Sequence, residues 1–222
     1  MKRFLLLAFI LIFMISCDKQ FDTKKTTQID TNFDIASETL EVYDIRNDSL
    51  FFNSATIENF DEEGNSLTVF WIGKLKDTVL RFYRKYDENM DLIGAEYYEP
   101  GDTEPSRDTV YFNSDGQKVE ASLNAENQIT WKSITTEDRH GNPVLKTYEN
   151  GQGEYRGLDS LYFDDQDRMI KGFYENSKGK RSAIRTYTYL KSDSLGNWTQ
   201  REMYKNDTLK QKHKRILTYF ED

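Results

Sequence analysis

A tight turn returns about every thirteen residues along most of this chain, and few folds tolerate that rhythm. An aromatic residue, an acidic or amide residue and a turn recur in Phe60-Asp61-Glu62-Glu63-Gly64-Asn65, Tyr86-Asp87-Glu88-Asn89-Met90-Asp91, Phe112-Asn113-Ser114-Asp115-Gly116-Gln117 and Phe163-Asp164-Asp165-Gln166-Asp167-Arg168. Asp138-Arg139-His140-Gly141-Asn142 and Asp193-Ser194-Leu195-Gly196-Asn197 complete the series without the aromatic. The turn position falls at 64, 90, 116, 141, 167 and 196, in steps of 26, 26, 25, 26 and 29, with Met90 and Asp167 standing where the others have Gly. A second set of turns lies midway: Gly73 to Asp77, Pro100 to Thr103, Asn124 to Asn127, Asn150 to Gly153, Ser177 to Lys180, and Asn206-Asp207. Two turns in 26 residues leave two segments of about eight to ten residues, the length of paired strands and too short for paired helices with their loops.

The segments alternate as strands do. Leu67, Val69 and Trp71 share a face, as do Leu80, Phe82 and Tyr86, and Val119, Ala121 and Leu123 alternate with Lys118, Glu120 and Ser122. Thr, Tyr, Phe, Val and Ile dominate, which suits a pleated surface. The fold class expected is all-β: an antiparallel meander of about 10–12 strands built from hairpin repeats of ~26 residues. Only about a third of the residues after Cys17 are apolar, a low share for a packed interior. That composition favours an open, single-layer sheet held by cross-strand pairs over a closed barrel, although only a barrel removes both edges. Lys210-Gln211-Lys212-His213-Lys214-Arg215, the longest basic run, reads as a solvated edge strand whose lysines block aggregation.

The N-terminus carries a different signal. Met1, Lys2 and Arg3 precede twelve unbroken apolar residues, Phe4 to Ile15, followed by Ser16, Cys17 and the polar Asp18-Lys19-Gln20. Twelve residues of helix span about 18 Å, short of the roughly 30 Å of a hydrocarbon core, so the run reads as a secretory signal and not as a membrane span. Phe13-Met14-Ile15-Ser16-Cys17 resembles the lipobox of bacterial lipoproteins, with Met14 where that pattern prefers Leu. The resemblance implies cleavage before Cys17, a thioether-linked diacylglycerol on its sulfur and acylation of its new amino group. Cys17 is the single cysteine of the chain, so the mature protein has no internal disulfide. The expected organisation is a signal peptide at 1–16, a lipidated cysteine with a flexible tether at 17–36, and a repetitive β domain at 37–222. The implied location is the cell envelope, anchored by lipid, at the outer membrane, with the periplasmic and surface faces both open. Asp18 resembles an inner-membrane retention cue of enteric bacteria, and the same acidic character resembles a surface-export cue of Bacteroidota.

The whole chain has a net charge of −8, and loss of residues 1–16 leaves 28 basic against 38 acidic residues, a net of −10. That balance opposes binding to nucleic-acid phosphates. The repeats resemble tyrosine-aspartate (YD, RHS-like) repeats and MORN-like antitoxin repeats in Tyr86-Asp87, in Phe60 to Asn65 and in Leu195-Gly196-Asn197-Trp198-Thr199-Gln200-Arg201-Glu202-Met203-Tyr204-Lys205-Asn206, a phrase similar to one in exported proteins of the Bacteroidota. The resemblance covers most of residues 50 to 210 and implies a contact surface, not a reaction.

Asp-Ser/Thr-aliphatic occurs six times, at Ser49, Thr78, Thr109, Ser160, Ser194 and Thr208. It resembles an O-glycosylation sequon of exported Bacteroidota proteins. It also reads as turn chemistry, in which Asp and Ser/Thr bond the backbone before a strand begins. Glu62 with Glu63 and Asp164 with Asp165 are paired in sequence, but neighbours on a strand face opposite ways, and a glycosidase needs carboxylates facing across a cleft. Asp164, Asp165 and Asp167, and Asp87, Asn89 and Asp91, lack the Gly and distant Glu of a calcium loop. His140 and His213 have no partner for zinc. Trp71, Trp131 and Trp198 in strands are the candidate aromatic binding surface. The function expected is a membrane-anchored, non-enzymatic binding or scaffold module with an envelope protein or glycan as partner and no cofactor. The alternative is an immunity or antitoxin-like protein neutralising an envelope toxin, and an envelope hydrolase ranks last.

Overall fold

The computed structural model describes residues 35–221. Cys17, the signal segment and nearly all of the expected tether lie outside them. Fourteen antiparallel strands follow one another: β1 (Ile35–Arg46), β2 (Ser49–Phe60), β3 (Ser66–Ile72), β4 (Thr78–Tyr86), β5 (Leu92–Tyr98), β6 (Ser106–Phe112), β7 (Lys118–Leu123), β8 (Ile129–Glu137), β9 (Pro143–Asn150), β10 (Tyr155–Phe163), β11 (Met169–Asn176), β12 (Arg185–Ser192), β13 (Trp198–Lys205) and β14 (Thr208–Tyr219).

Each strand pairs with the next, and β1 pairs with β14, so the meander is a closed barrel. This corrects two expectations. The strand count is fourteen and not 10–12: the twelve turns of the sequence already separate thirteen segments, and the β1–β2 hairpin adds one more, turning at Asn47-Asp48 with both residues at positive φ and no glycine. The sheet is closed and not open. β1 and β14 are twelve residues long each and hold nine register pairs, from Ile35↔Tyr219 to Asp44↔Gln211. Closure satisfies the backbone edges without asking for a packed interior. The buried apolar residues are only Ile35, Ala55, Val119, Ala121, Phe173 and Met203 among those described. The low apolar content therefore does not imply an open sheet, because closure here is carried by strand pairing and few apolar residues are buried. β14 is likewise no edge strand, since it lies between β13 and β1.

The repeated acidic or amide residue has a defined task. In Asp87, Asn113, Asn124, Asp138, Asn150, Asp164, Asn176 and Asp193 the side-chain oxygen Oδ1 accepts the N–H groups two and four residues on. The residue three places after it takes positive φ, as in Gly116 (73°), Gly141 (85°), Met90 (64°) and Asp167 (55°). The three residues between are a type I turn closed by a left-handed residue, the common three-residue hairpin loop.

Directly paired residues lie on the same face of a sheet, so the register assigns every strand residue to one wall surface. Glu120, Ser133, Tyr148 and Gly157 form one continuous row through β7 to β10. On this surface side chains reach past an intervening strand: Glu58 to Arg84 (3.9 Å), Glu120 to Lys146 (3.0 Å) and Asp159 to Arg185 (3.5 Å). On the opposite surface the ion pairs Lys85–Glu96, Arg107–Glu96, Lys132–Glu149, Lys212–Glu202 and Lys214–Glu41 join adjacent strands only. Side chains converge on the concave side of a curved sheet, so the first surface is the inner wall.

Candidate binding surface on the inner wall

The inner wall combines aromatic rings with hydrogen-bonding charges. Across β8, β9 and β11, Trp131 stacks on Tyr148 at 5.9 Å and 28°, and Tyr148 meets Tyr174 at 6.4 Å. Tyr148 and Tyr174 are 26 residues apart and sit on strands two apart, with Gly157 of β10 between them. Gly157 is required there. A Cβ would stand 2.4 Å from the Tyr174 hydroxyl and 2.5 Å from the Glu175 carbonyl, and its φ of 150° is one that L-residues rarely adopt. The missing side chain lets the two rings close over the strand.

The polar part of the row follows from the same register. The Tyr148 hydroxyl donates to Asp159 (2.7 Å), and Arg185 lies 3.5 Å from the other oxygen of that carboxylate. Burial, then the hydrogen bond to Asp159, pushes the Tyr148 phenol well above its ordinary value, so it stays a neutral donor. Next along, Lys146 donates to Glu120, and Lys118 lies 3.3 Å from its second oxygen. Burial opposes ionisation of Glu120, but the hydrogen bond and charge of Lys146, with Lys118 behind it, hold its carboxyl below the usual range. The result is a half-buried platform of rings edged by donors and acceptors that are already oriented.

The three tryptophans all face inward but do not meet. They stand on β3, β8 and β13, four or five strands apart around the wall. Trp71 and Trp131 are 48% and 40% exposed and lie near the end opposite Ile35, so the inner wall is reachable there. Trp198 lies near the Ile35 end, half-buried beside Tyr189. The sequence missed Tyr148, Tyr174, Asp159 and Arg185 as a group. Their spacing was the available signal, since one repeat period separates each strand-skipping pair.

The other candidates disperse. Ser49, Thr208 and Ser194 are exposed, the first two opening β2 and β14 and the third within a turn. Thr78 opens β4, half-buried. Thr109 and Ser160 lie inside β6 and β10, facing outward opposite inward Asp108 and Asp159 neighbours, so turn chemistry does not account for them. The Asp164 and Asp87 carboxylates cap their own turns, and among the described residues no three His, Cys, Asp or Glu are grouped to hold a metal ion. His140 is exposed in its turn, accepting from Arg139 (3.0 Å), whereas His213 is buried in the inner wall.

The outer wall carries Lys85, Arg107, Lys132, Lys212 and Lys214 within strands. A lipid-facing cation costs about 2–4 kcal/mol at the bilayer midplane and less near its surfaces, so these charges count against lipid contact at their positions.

No protein-family model and no curated protein sequence matches the chain. Among solved structures it is similar to a porin-like protein from Bacteroides uniformis (10% identity, TM-score 0.33, covering 83% of this chain and 98% of that one). It is similar also to a DUF1329 family protein from Desulfovibrio piger (11%, 0.37, 83% and 86%) and to a LolA superfamily protein from Nitrosomonas europaea (8%, 0.37, 86% and 88%). The resemblance to YD and MORN-like repeats is corrected by the fold: the hairpins do not stack as an open repeat array but close into a fourteen-stranded barrel.

Proposed function

We propose that this chain is a non-enzymatic binding module of the cell envelope, held at the outer membrane by lipid on Cys17, that receives a glycan against the inner wall of its barrel. The observation that carries the reading is the row Trp131–Tyr148–Tyr174, edged by Asp159 and Arg185. Flat rings stack on the apolar faces of sugars, and fixed carboxylate and guanidinium groups bind their hydroxyls. The acids nearest the row already accept hydrogen bonds from Tyr148 and Lys146, which suits holding a ligand and not general acid–base work. The likeness to DUF1329 and LolA superfamily proteins is compatible with a binding role and carries none of the argument.

The test is a panel of envelope and capsular oligosaccharides titrated into the mature chain bearing Cys17→Ser, followed by calorimetry. The expected result is binding of at least one oligosaccharide that Trp131→Ala or Tyr174→Ala weakens by about 1–2 kcal/mol, roughly tenfold. Binding that ignores both substitutions refutes the inner-wall site, as does the lack of any bound glycan. For the anchor, the full chain is expected in the membrane fraction and its Cys17→Ser variant in the soluble fraction; identical partition of the two overturns it.

A further inference from the structure

We propose that Arg201 anchors an oxyanion-binding site on the inner wall near the Ile35 end of the barrel. Five other cations on the same wall each have a carboxylate within 4 Å: Arg84 with Glu58, Lys118 and Lys146 with Glu120, Arg185 with Asp159, and Arg215 with Glu38. Arg201 has none among the described residues. Its Nε donates to Nδ1 of His213 (3.0 Å) and its Nη1 donates to the Tyr189 hydroxyl (3.2 Å), both neutral acceptors. A guanidinium has five N–H donors, so three of them have no acceptor among the described residues.

The group is held against aromatic rings and not by a counter-charge. It lies 4.5 Å from the Trp198 ring centre, 4.7 Å from Tyr187 and 5.9 Å from Tyr189. Stacking of this kind fixes the plane of a guanidinium and leaves its edge for a planar or tetrahedral oxyanion. Arg215 approaches the same indole at 5.1 Å, and its buried Nε has no acceptor. Two guanidinium groups thus share Trp198, with Glu38 neutralising one of them. Asp193, the acid of the neighbouring turn, is engaged by the Tyr219 hydroxyl and by the N–H groups of Leu195 and Asn197. A carboxylate, sulfate or phosphate oxygen entering the barrel would meet one unneutralised, half-buried positive charge with free donors. This site stands apart from the Trp131–Tyr148–Tyr174 row and does not depend on a sugar binding there.

The sequence supplies its own reporter. Only three tryptophans and two histidines occur in the chain, so Trp71→Phe with Trp131→Phe leaves Trp198 as the single fluorophore. Sodium sulfate, dextran sulfate and neutral dextran are titrated into the mature Cys17→Ser chain with this background, at ionic strength fixed by chloride. A saturable change in Trp198 emission with sulfate is expected if the site takes a free ion, and with dextran sulfate alone if the charge must be borne on a polymer. Neutral dextran gives no change. Arg201→Gln removes the response and Arg201→Lys weakens it about tenfold, since a point charge lacks the fork. If those variants fail to fold, the His213 ring resonances of the unsubstituted chain report the same event, shifting saturably with the anion while those of His140 do not. No saturable response to either anion, or one that survives in folded Arg201→Gln, overturns the site.

Discussion

Glu120 and Lys146 stand 26 residues apart in the chain and 3.0 Å apart in space, joined across strand β8 on the inner wall. The separation is one repeat period, and the same interval joins Glu58 with Arg84, Asp159 with Arg185, Tyr148 with Tyr174 and Asp193 with Tyr219. Two strands and two turns make one period, so the period is the distance along the chain to the second neighbouring strand. Only on the concave side are second neighbours close enough to touch. The pair is half-exposed, so its loss should cost only about 1–2 kcal/mol. Glu120→Gln is expected to lower urea stability at pH 7 by that amount. Swapping the charges (Glu120→Lys with Lys146→Glu) should recover less than the whole, because Lys118 then opposes the new lysine. The folded carboxyl titrates below its unfolded value, so the contribution is present above the unfolded pKa and lost as pH falls through the folded one. A wild-type and variant difference that stays constant down to pH 2 would contradict this.

His213 gives a second pH dependence. Burial, then the charge of Arg201, lowers its imidazole from 6.5 to about 4. Between those values the unfolded chain binds a proton that the folded chain refuses. The stabilisation is therefore whole above about pH 6.5 and is lost as pH falls toward 4, by about 3 kcal/mol in full. His213→Gln keeps an acceptor for Arg201 and has no proton to take up. Its denaturation midpoint should change less than that of the parent between pH 7 and 4, and parallel curves would show that His213 is not the titrating group.

Met90 holds φ at 64° in the turn position that Gly64, Gly116, Gly141 and Gly196 fill in other copies. A left-handed conformation costs a side-chain-bearing residue about 1–2 kcal/mol, partly offset by the freedom glycine loses on folding. Met90→Gly should raise thermal stability by about 0.5–1 kcal/mol, and Gly116→Ala should lower it by about 1 kcal/mol. Equal melting temperatures for all three proteins would show that these turns relax without strain.

The turns were the most legible part of this chain because each is local: one Asp or Asn caps the N–H groups two and four residues ahead, and the residue three ahead goes left-handed. The β1–β2 hairpin was missed because Asn47-Asp48 lies ahead of the first clear copy of the repeat at Phe60, although Asn206-Asp207 turns the chain with the same two residues. Closure was not legible because it depends on β1 meeting β14, about 170 residues away in sequence, with no motif at either strand. The inner wall was hidden by its composition. Glu120, Lys146, Asp159 and Arg185 look like solvated surface in sequence, and only pairing across a strand turns them into a lining. The tryptophans were correctly placed in strands, but alternation alone could not say which of two faces was concave.

The seam between β11 and β12 is the weak point of the cylinder. Only Lys171↔Thr186 and Gly172↔Arg185 pair across it, while β12 pairs with β13 from Arg185 to Ser192 and β11 pairs with β10 along its whole length. Toward the Ile35 end the two strands are joined by side chains instead, with the Tyr189 hydroxyl donating to the Met169 carbonyl (3.1 Å) and Arg168 lying 4.7 Å from the Tyr189 ring. A wall with few ladder bonds opens locally at lower free energy than the rest. Amide exchange should therefore be fastest, among strand residues, in the part of β12 from Tyr187 to Ser192 that faces β11, and Tyr189→Phe should speed it further by about fivefold, the loss of about 1 kcal/mol of hydrogen bond. Joining the seam through Lys171→Cys and Thr186→Cys should slow that exchange and raise the melting temperature once oxidised. Protection of β12 equal to that of β1 and β14, whose nine-pair seam closes the barrel, would show that opening does not begin there.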